Sequence, residues 1–213
     1  MPVSPNSTAE RQSHWDRSFD SNAPENLTWY QPHIHDSLEL IRKHGQDLGC
    51  SAAVIDVGAG NAGLVDDLVE VGYNNLSVLD ISAKALAQTR SRLGPIAQTI
   101  EFIEADLTKW EPTGKWDIWH DRAAFHFLTE IDEQNAYIDA LQAALPKGAL
   151  VLISCFSTTG PQKCSGLPVQ QYNVADLAAR LGGEYTLLEG YQKDHITPKG
   201  GHQNFTHTAF RKT

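Results

Sequence analysis

Cysteine is scarce in this chain, with 3 in 213 residues, and an odd, low count does not make a disulfide framework. Long apolar runs are missing too. No stretch approaches the roughly 20 residues needed to span a bilayer, and the N-terminus lacks the apolar core of a signal peptide, so the expected location is the cytoplasm. Basic residues are outnumbered 17 to 26, a formal net charge of −9. Nucleic-acid phosphates need a basic stripe, so this balance argues against such a partner, and no membrane partner is expected either. Internal repeats and long linkers are also absent, which leaves one domain with 41% hydrophobic residues to build a core.

Val54-Ile55-Asp56-Val57-Gly58-Ala59-Gly60-Asn61-Ala62-Gly63 is the most informative stretch. Ala52 to Val57 is a short run rich in β-branched residues that stops at glycine, the pattern of a buried strand. Leu64, Val65, Leu68 and Val69 then recur at three- and four-residue spacing, with Asp66, Asp67 and Glu70 on the other face, and predict a helix. Glycines between strand and helix let a ligand approach bare backbone. Gly58, Gly60 and Gly63 satisfy the dinucleotide fingerprint. Asp56, however, would set a negative charge beside a pyrophosphate, whereas a cationic amino-acid group would be attracted to it. Asp80 ends the next strand, Leu76 to Leu79, where a carboxylate can accept from both ribose hydroxyls. Asp106 follows the strand Thr99 to Ile103 and can accept from an adenine amino group.

Three acids at three successive strand ends resemble the class I S-adenosylmethionine-dependent methyltransferases. The resemblance implies an α/β fold: a single Rossmann-like domain with a mostly parallel seven-stranded sheet, helices on both faces and a C-terminal antiparallel β-hairpin. It also implies S-adenosylmethionine as cofactor, with Asp56, Gly58, Ala59 and Gly60 at its methionine end, Asp80 and Ile81 at the ribose, and Asp106 and Leu107 at the adenine. Ala62 stands where that family's third glycine is usual. Trp15-Asp16 followed by Thr28-Trp29 is similar to the amino-terminal segment of the thiopurine and halide/thiol branch, where the segment covers the site, so Trp29 joins the expected cofactor contacts. Domain bounds follow: a disordered tail over 1–8, a helical cap over 9–50 with helices Glu10 to Phe19 and His33 to Leu48, and the methyltransferase domain over 51–213.

Trp116 to Arg122 predicts a strand whose C-terminal end carries His120-Asp121-Arg122. Open α/β sheets bind ligands at these strand ends, so the three residues are expected to face the crevice shared with Asp56 and Asp80, His120 also touching the cofactor. The thiopurine-type branch has Trp-Asp-Arg here, which the aspartate and arginine match. An ion pair that ties the loop is the alternative for Asp121 and Arg122. Asp121, Arg122, His120 and His195 are the candidate catalytic residues. Ala149 to Ile153 is a further strand. The stretch Thr158 to Tyr172 has no periodicity and is long enough to suggest a binding role. Asn173 caps a helix through Leu181, and Glu184 to Thr213 alternates around Pro198-Lys199-Gly200-Gly201 as a hairpin. His202 and His207 are five apart and fall on opposite strand faces, so no metal site is expected. Cys155 and Cys164 read as packed hydrophobes.

The expected activity is methyl transfer to a small acceptor: a thiol, sulfide, halide or metalloid. A thiol, with a pKa of about 8.5, needs little base catalysis. An amine, carboxyl or hydroxyl acceptor is the alternative. A non-catalytic cofactor-binding module and an NAD-dependent oxidoreductase are the readings from other classes. Oligomeric state is not legible.

Overall fold

In the computed structural model, residues 7–21 and 23–213 are described. The expected tail over 1–8 therefore lies mostly outside the described residues. Its last two positions are ordered: Ser7 caps helix α1 (Thr8–Asp20) through a reciprocal capping box with Glu10, satisfying two end N–H groups at once. Helix α2 (His35–His44) is shorter than the expected His33 to Leu48, because the backbone leaves the helical conformation at its C-cap, Gly45, with φ −108° and ψ 9°.

Beyond these helices the chain alternates strand and helix: β1 (Ala53–Val57), α3 (Leu64–Glu70), β2 (Asn75–Asp80), α4 (Ala83–Leu93), β3 (Ile100–Glu104), β4 (Ile118–Arg122), α5 (Ile131–Ala144) and β5 (Leu150–Phe156). A two-stranded element, β6 (Lys163–Cys164) and β7 (Leu167–Pro168), precedes α6 (Val174–Leu181) and the hairpin β8 (Tyr185–Ile196) and β9 (His202–Lys212). Seven strands form one sheet in the order β3-β2-β1-β4-β5-β9-β8. The first five are parallel and β9 is antiparallel to both neighbours. The fold class matches the expectation, hairpin included. The stretch 158–172 is not structureless. Ser165 and Gly166 both take positive φ, 50° and 80°, which turns the chain tightly enough for β6 and β7 to pair.

Both sheet faces are covered. One core joins Ile55, Val57, Trp119, Tyr137, Val151, Ile153 and Leu177 under α5 and α6. The other joins Val54, Leu64, Leu68, Val78, Ile118 and Leu152 under α2, α3 and α4. Chain order reverses between β1 and β4, so their carboxyl ends diverge to opposite sides and leave a crevice, the usual ligand position in such sheets.

Candidate functional site

A cavity opens at that crevice, with about 1340 Å³ of space counted out into the solvent at its mouth. Of the residues expected at the cofactor, Trp29, Asp56, Gly58, Ala59, Gly60, Asp80, Ile81, Asp106, Leu107 and His120 all line it. Of the four expected catalytic groups, His120 and Arg122 line it and Asp121 and His195 do not.

The glycine loop has a steric reason for its composition. Gly58 and Gly60 sit at φ 62° and 56°, where an L side chain costs roughly 1–2 kcal/mol. A Cβ on Gly58 would stand 2.4 Å from the Ala124 Cβ, and one on Gly60 would stand 3.0 Å from the Phe19 ring. The loop is pinned from the next strand: the Gly60 N–H donates to Asp80 Oδ2 at 2.7 Å, and the Ser82 N–H to Asp80 Oδ1 at 2.8 Å. Burial raises the Asp80 pKa to about 6 despite those two donors. A carboxylate has about four lone-pair sites, so two remain for a ligand.

Asp106 is more fully engaged. Its Oδ1 accepts from the Thr108 amide and hydroxyl at 3.0 and 2.8 Å, and its Oδ2 from the Thr8 hydroxyl at 2.8 Å. Arg11 Nε lies 3.3 Å away. Burial pushes its pKa up, but the Thr108 and Thr8 hydrogen bonds and Arg11 outweigh that and hold it below the ordinary value. Little acceptor capacity is left for an adenine amino group. Helix α1 thus docks over this end of the cavity, also through Asp16 to the Ser82 hydroxyl (2.6 Å) and Gln88 to the Phe19 carbonyl (3.1 Å).

On β4 the side chains alternate between faces, and this divides the His-Asp-Arg triplet. Asp56 pairs in register with His120 across parallel strands, and its Oδ1 lies 2.6 Å from His120 Nδ1. His120 Nε2 lies 2.7 Å from the Ser37 hydroxyl on α2. Both nitrogens are committed. Asp121 faces the other way, contrary to the expectation of one shared crevice. It is fully buried and accepts from the Ala124 and Phe125 amides and from the Tyr137 hydroxyl, each at 2.8 to 3.0 Å for the closer oxygen. Burial lifts its pKa to about 6. Its work is to hold the turn at Ala123, whose φ of 70° is strained for alanine, and so to press Ala124 against Gly58. No ion pair joins it to Arg122; the side chains leave the sheet on opposite sides.

His195 lies against the N-terminal segment instead of the cavity. Its Nδ1 is 3.1 Å from Gln31 Nε2, and its Nε2 is 2.8 Å from the Thr28 carbonyl. Burial lowers its pKa. His126 is buried, accepts from the Phe156 amide at 3.2 Å, and is driven to a pKa of about 3 by burial, so it stays neutral.

On the far wall the sequence pointed to the Trp15 and Trp29 segment and to the stretch 158–172, but not to Phe127, Phe156 or Phe205. Trp15, Phe127, Phe156, Cys164, Leu167, Pro168 and Phe205 line the cavity with Trp29 and Arg122. Cys164 is on the wall with its thiol pushed up to about 11 by burial, while Cys155 is fully buried in the core. No cluster of three or more histidine, cysteine or acidic side chains suited to a metal ion occurs among the described residues.

Residues 54–148 match a family described as "Methyltransferase domain". Over 137 residues the chain is 24% identical to the eEF1A lysine and N-terminal methyltransferase of Mus musculus, covering 63% of this chain and 19% of that protein. It is also 24% identical over 143 residues to malonyl-[acyl-carrier protein] O-methyltransferase 2 of Ilyobacter polytropus, covering 66% and 52%. The chain thus spans from about a fifth to about half the length of these relatives. Among solved structures, 1,6-didemethyltoxoflavin-N1-methyltransferase of Burkholderia thailandensis, crystallised with S-adenosylhomocysteine, superposes with a TM-score of 0.68 at 18% identity, covering 100% of this chain and 93% of that one.

Proposed function

Because the chain carries the class I S-adenosylmethionine-dependent methyltransferase fold, with its domain match over residues 54–148, we propose that it methylates a small acceptor at a soft or already ionised atom. The residues present fit the cofactor. Gly58 and Gly60 form a cradle that a Cβ would fill, and buried Asp80 keeps two acceptor sites for ribose hydroxyls after binding Gly60 and Ser82. S-adenosylmethionine supplies an electrophilic methyl on a sulfonium, whose bond electrons return to sulfur as the acceptor's lone pair forms the new bond. The protein's part is to orient the acceptor and exclude water.

One observation carries the acceptor class: among the described residues the cavity wall holds no free imidazole, and its acids are each engaged by at least one donor. His120 is engaged at both nitrogens, and Asp56 is engaged with it. Asp80 and Asp106 serve amide and hydroxyl donors, Glu133 pairs with Arg11 at 2.5 Å, and Cys164 is held protonated. An acceptor that needs its proton removed at the moment of attack finds no partner. A thiolate, sulfide, halide or metalloid anion needs none, and neither does a carboxylate.

Calorimetry with S-adenosylhomocysteine against NAD and NADP tests the cofactor; preferential NAD binding sinks the reading in favour of an oxidoreductase. Mass spectrometry after incubation with S-adenosylmethionine and a panel of thiols, amines and carboxylates tests the acceptor. Thiol methylation should rise with pH and track each thiol's own pKa. Transfer to amines alone would reject the ionised-acceptor class and keep only the transferase.

A further inference from the structure

Among the described residues, Arg122 is the one charged side chain set against an aromatic ring of the far wall. It leaves the end of β4 on the cavity side, with its guanidinium carbon 5.1 Å from the centre of the Phe205 ring. One hydrogen bond is made, from Nη1 to the Trp29 carbonyl at 3.1 Å, out of five donors on the group. No carboxylate of the described residues stands within the 4.0 Å of an ion pair. Asp36 and Asp56 act on it only at longer range, and each is itself engaged, Asp36 with Lys193 and Asp56 with His120, both at 2.6 Å. The side chain is half-buried and lines the cavity. Around the group stand Trp29, Phe127, Phe156, Cys164 and Phe205.

We propose that Arg122 is the anchor for a carboxylate carried by the methyl acceptor, whose apolar or aromatic body packs against Trp29, Phe127 and Phe205. The inference rests on the methyltransferase reading. A half-buried guanidinium with no counter-ion in contact is incompletely compensated, and burial lowers its pKa, to about 10, which still leaves it charged at neutrality. A planar fork with free donors suits a two-oxygen anion held by parallel hydrogen bonds. The Phe205 ring fixes the plane from one side, and the Trp29 carbonyl holds one arm. The anchored carboxylate is the handle, and the attacked methyl goes to another atom of the same molecule.

Two thiols of matched shape test this, 4-mercaptobenzoate and 4-methylbenzenethiol, with S-adenosylmethionine and the full chain. Wild-type protein should prefer the carboxylate by about tenfold or more in kcat/KM, mostly through KM. Arg122→Gln should erase the preference, and Arg122→Lys should restore part of it, which a merely structural loss would not do. Quenching of tryptophan fluorescence by benzoate, with and without S-adenosylhomocysteine, reads the anion site separately from transfer. Quenching that Arg122→Gln removes supports the anchor even if neither thiol is methylated, a result that would instead sink the thiol reading. Equal kcat/KM for the two thiols in wild type, a preference that survives Arg122→Gln, methyl ester formation on 4-mercaptobenzoate, or no benzoate quenching in wild type would each overturn it. Should Arg122→Gln fail to fold, the wild-type ratio and Arg122→Lys decide.

Discussion

Gly58→Ala is the sharpest perturbation of the site, because two independent costs meet there and only one can be relieved. The backbone at φ 62° costs an L side chain roughly 1–2 kcal/mol. The new methyl would lie 2.4 Å from the Ala124 Cβ, far inside the roughly 3.5–4.0 Å of ordinary carbon contact, and overpacking of this kind costs about 1–3 kcal/mol. Ala124 cannot easily retreat, since its amide is held by Asp121 at 2.8 Å. Gly58→Ala should therefore destabilise by about 2–5 kcal/mol, the sum of those two ranges. Ala124→Gly alone should cost roughly 0.5–1 kcal/mol, yet in the double variant it removes the contact and should recover about 1–3 kcal/mol. Urea denaturation of the four proteins measures the cycle, and calorimetry with S-adenosylhomocysteine should show affinity lost in Gly58→Ala and partly regained in the pair. Additivity within about 0.5 kcal/mol would refute the contact between the two strand-end loops.

Asp80→Ala should weaken S-adenosylhomocysteine binding by roughly 3–6 kcal/mol, two charge-assisted hydrogen bonds; near-unchanged binding by calorimetry removes Asp80 from the ribose. With the Asp80 pKa raised by burial to about 6, hydroxyl donors favour its carboxylate, so affinity should climb as pH rises through 6 and level off above it, and Asp80→Asn should flatten that profile. For stability the sign is opposite. The folded-state pKa values of Asp80 and Asp121, both about 6, exceed the unfolded value of about 3.9. Their contribution is complete below that value and is lost as pH rises through 6, which urea midpoints between pH 4 and 7 would show as a decline. Asp121→Ala strands two amides and the Tyr137 hydroxyl, so melting temperature and activity should fall together, with a stability loss of about 3 kcal/mol or more; activity lost at unchanged melting temperature would put Asp121 back in the reaction.

Half of the cavity was legible because its residues are local to strand ends. Asp56, Gly58, Gly60 and Asp80 each follow an apolar run by a fixed step, and the run itself locates them. The His120-Asp121-Arg122 triplet was legible only as a place. A central parallel strand is buried on both faces, so Trp119 and His120 give no hint of which parity meets the cavity; the register with Asp56 on β1 decides it. Phe127, Phe156, Cys164 and Phe205 come together from four segments, and no periodicity connects them. His195 was misplaced for the same reason: its partners Gln31 and Thr28 are more than 160 residues away in sequence.

The far wall bears on rate as well as on binding. Transfer of a methyl from a sulfonium to an anion removes one positive and one negative charge, so the transition state is less charged than the reactants. Dry, weakly polar walls oppose charge more in the reactants than in the transition state. Trp15, Trp29, Phe127, Phe156 and Phe205 supply such walls, with Trp15 and Phe127 edge to face at 4.8 Å. Under the anchor proposal, a carboxylate on Arg122 would keep its charge throughout and so contribute equally to ground and transition states, which places its effect in KM. The walls should act on kcat. Phe127→Asn brings an amide dipole and water to the cavity wall and should lower kcat by about tenfold, near 1.4 kcal/mol, while Phe127→Leu, which stays apolar, should lose much less. Single-turnover rates at saturating acceptor separate the two, and equal losses in both variants would show that Phe127 fills space without governing the charge that the reaction consumes.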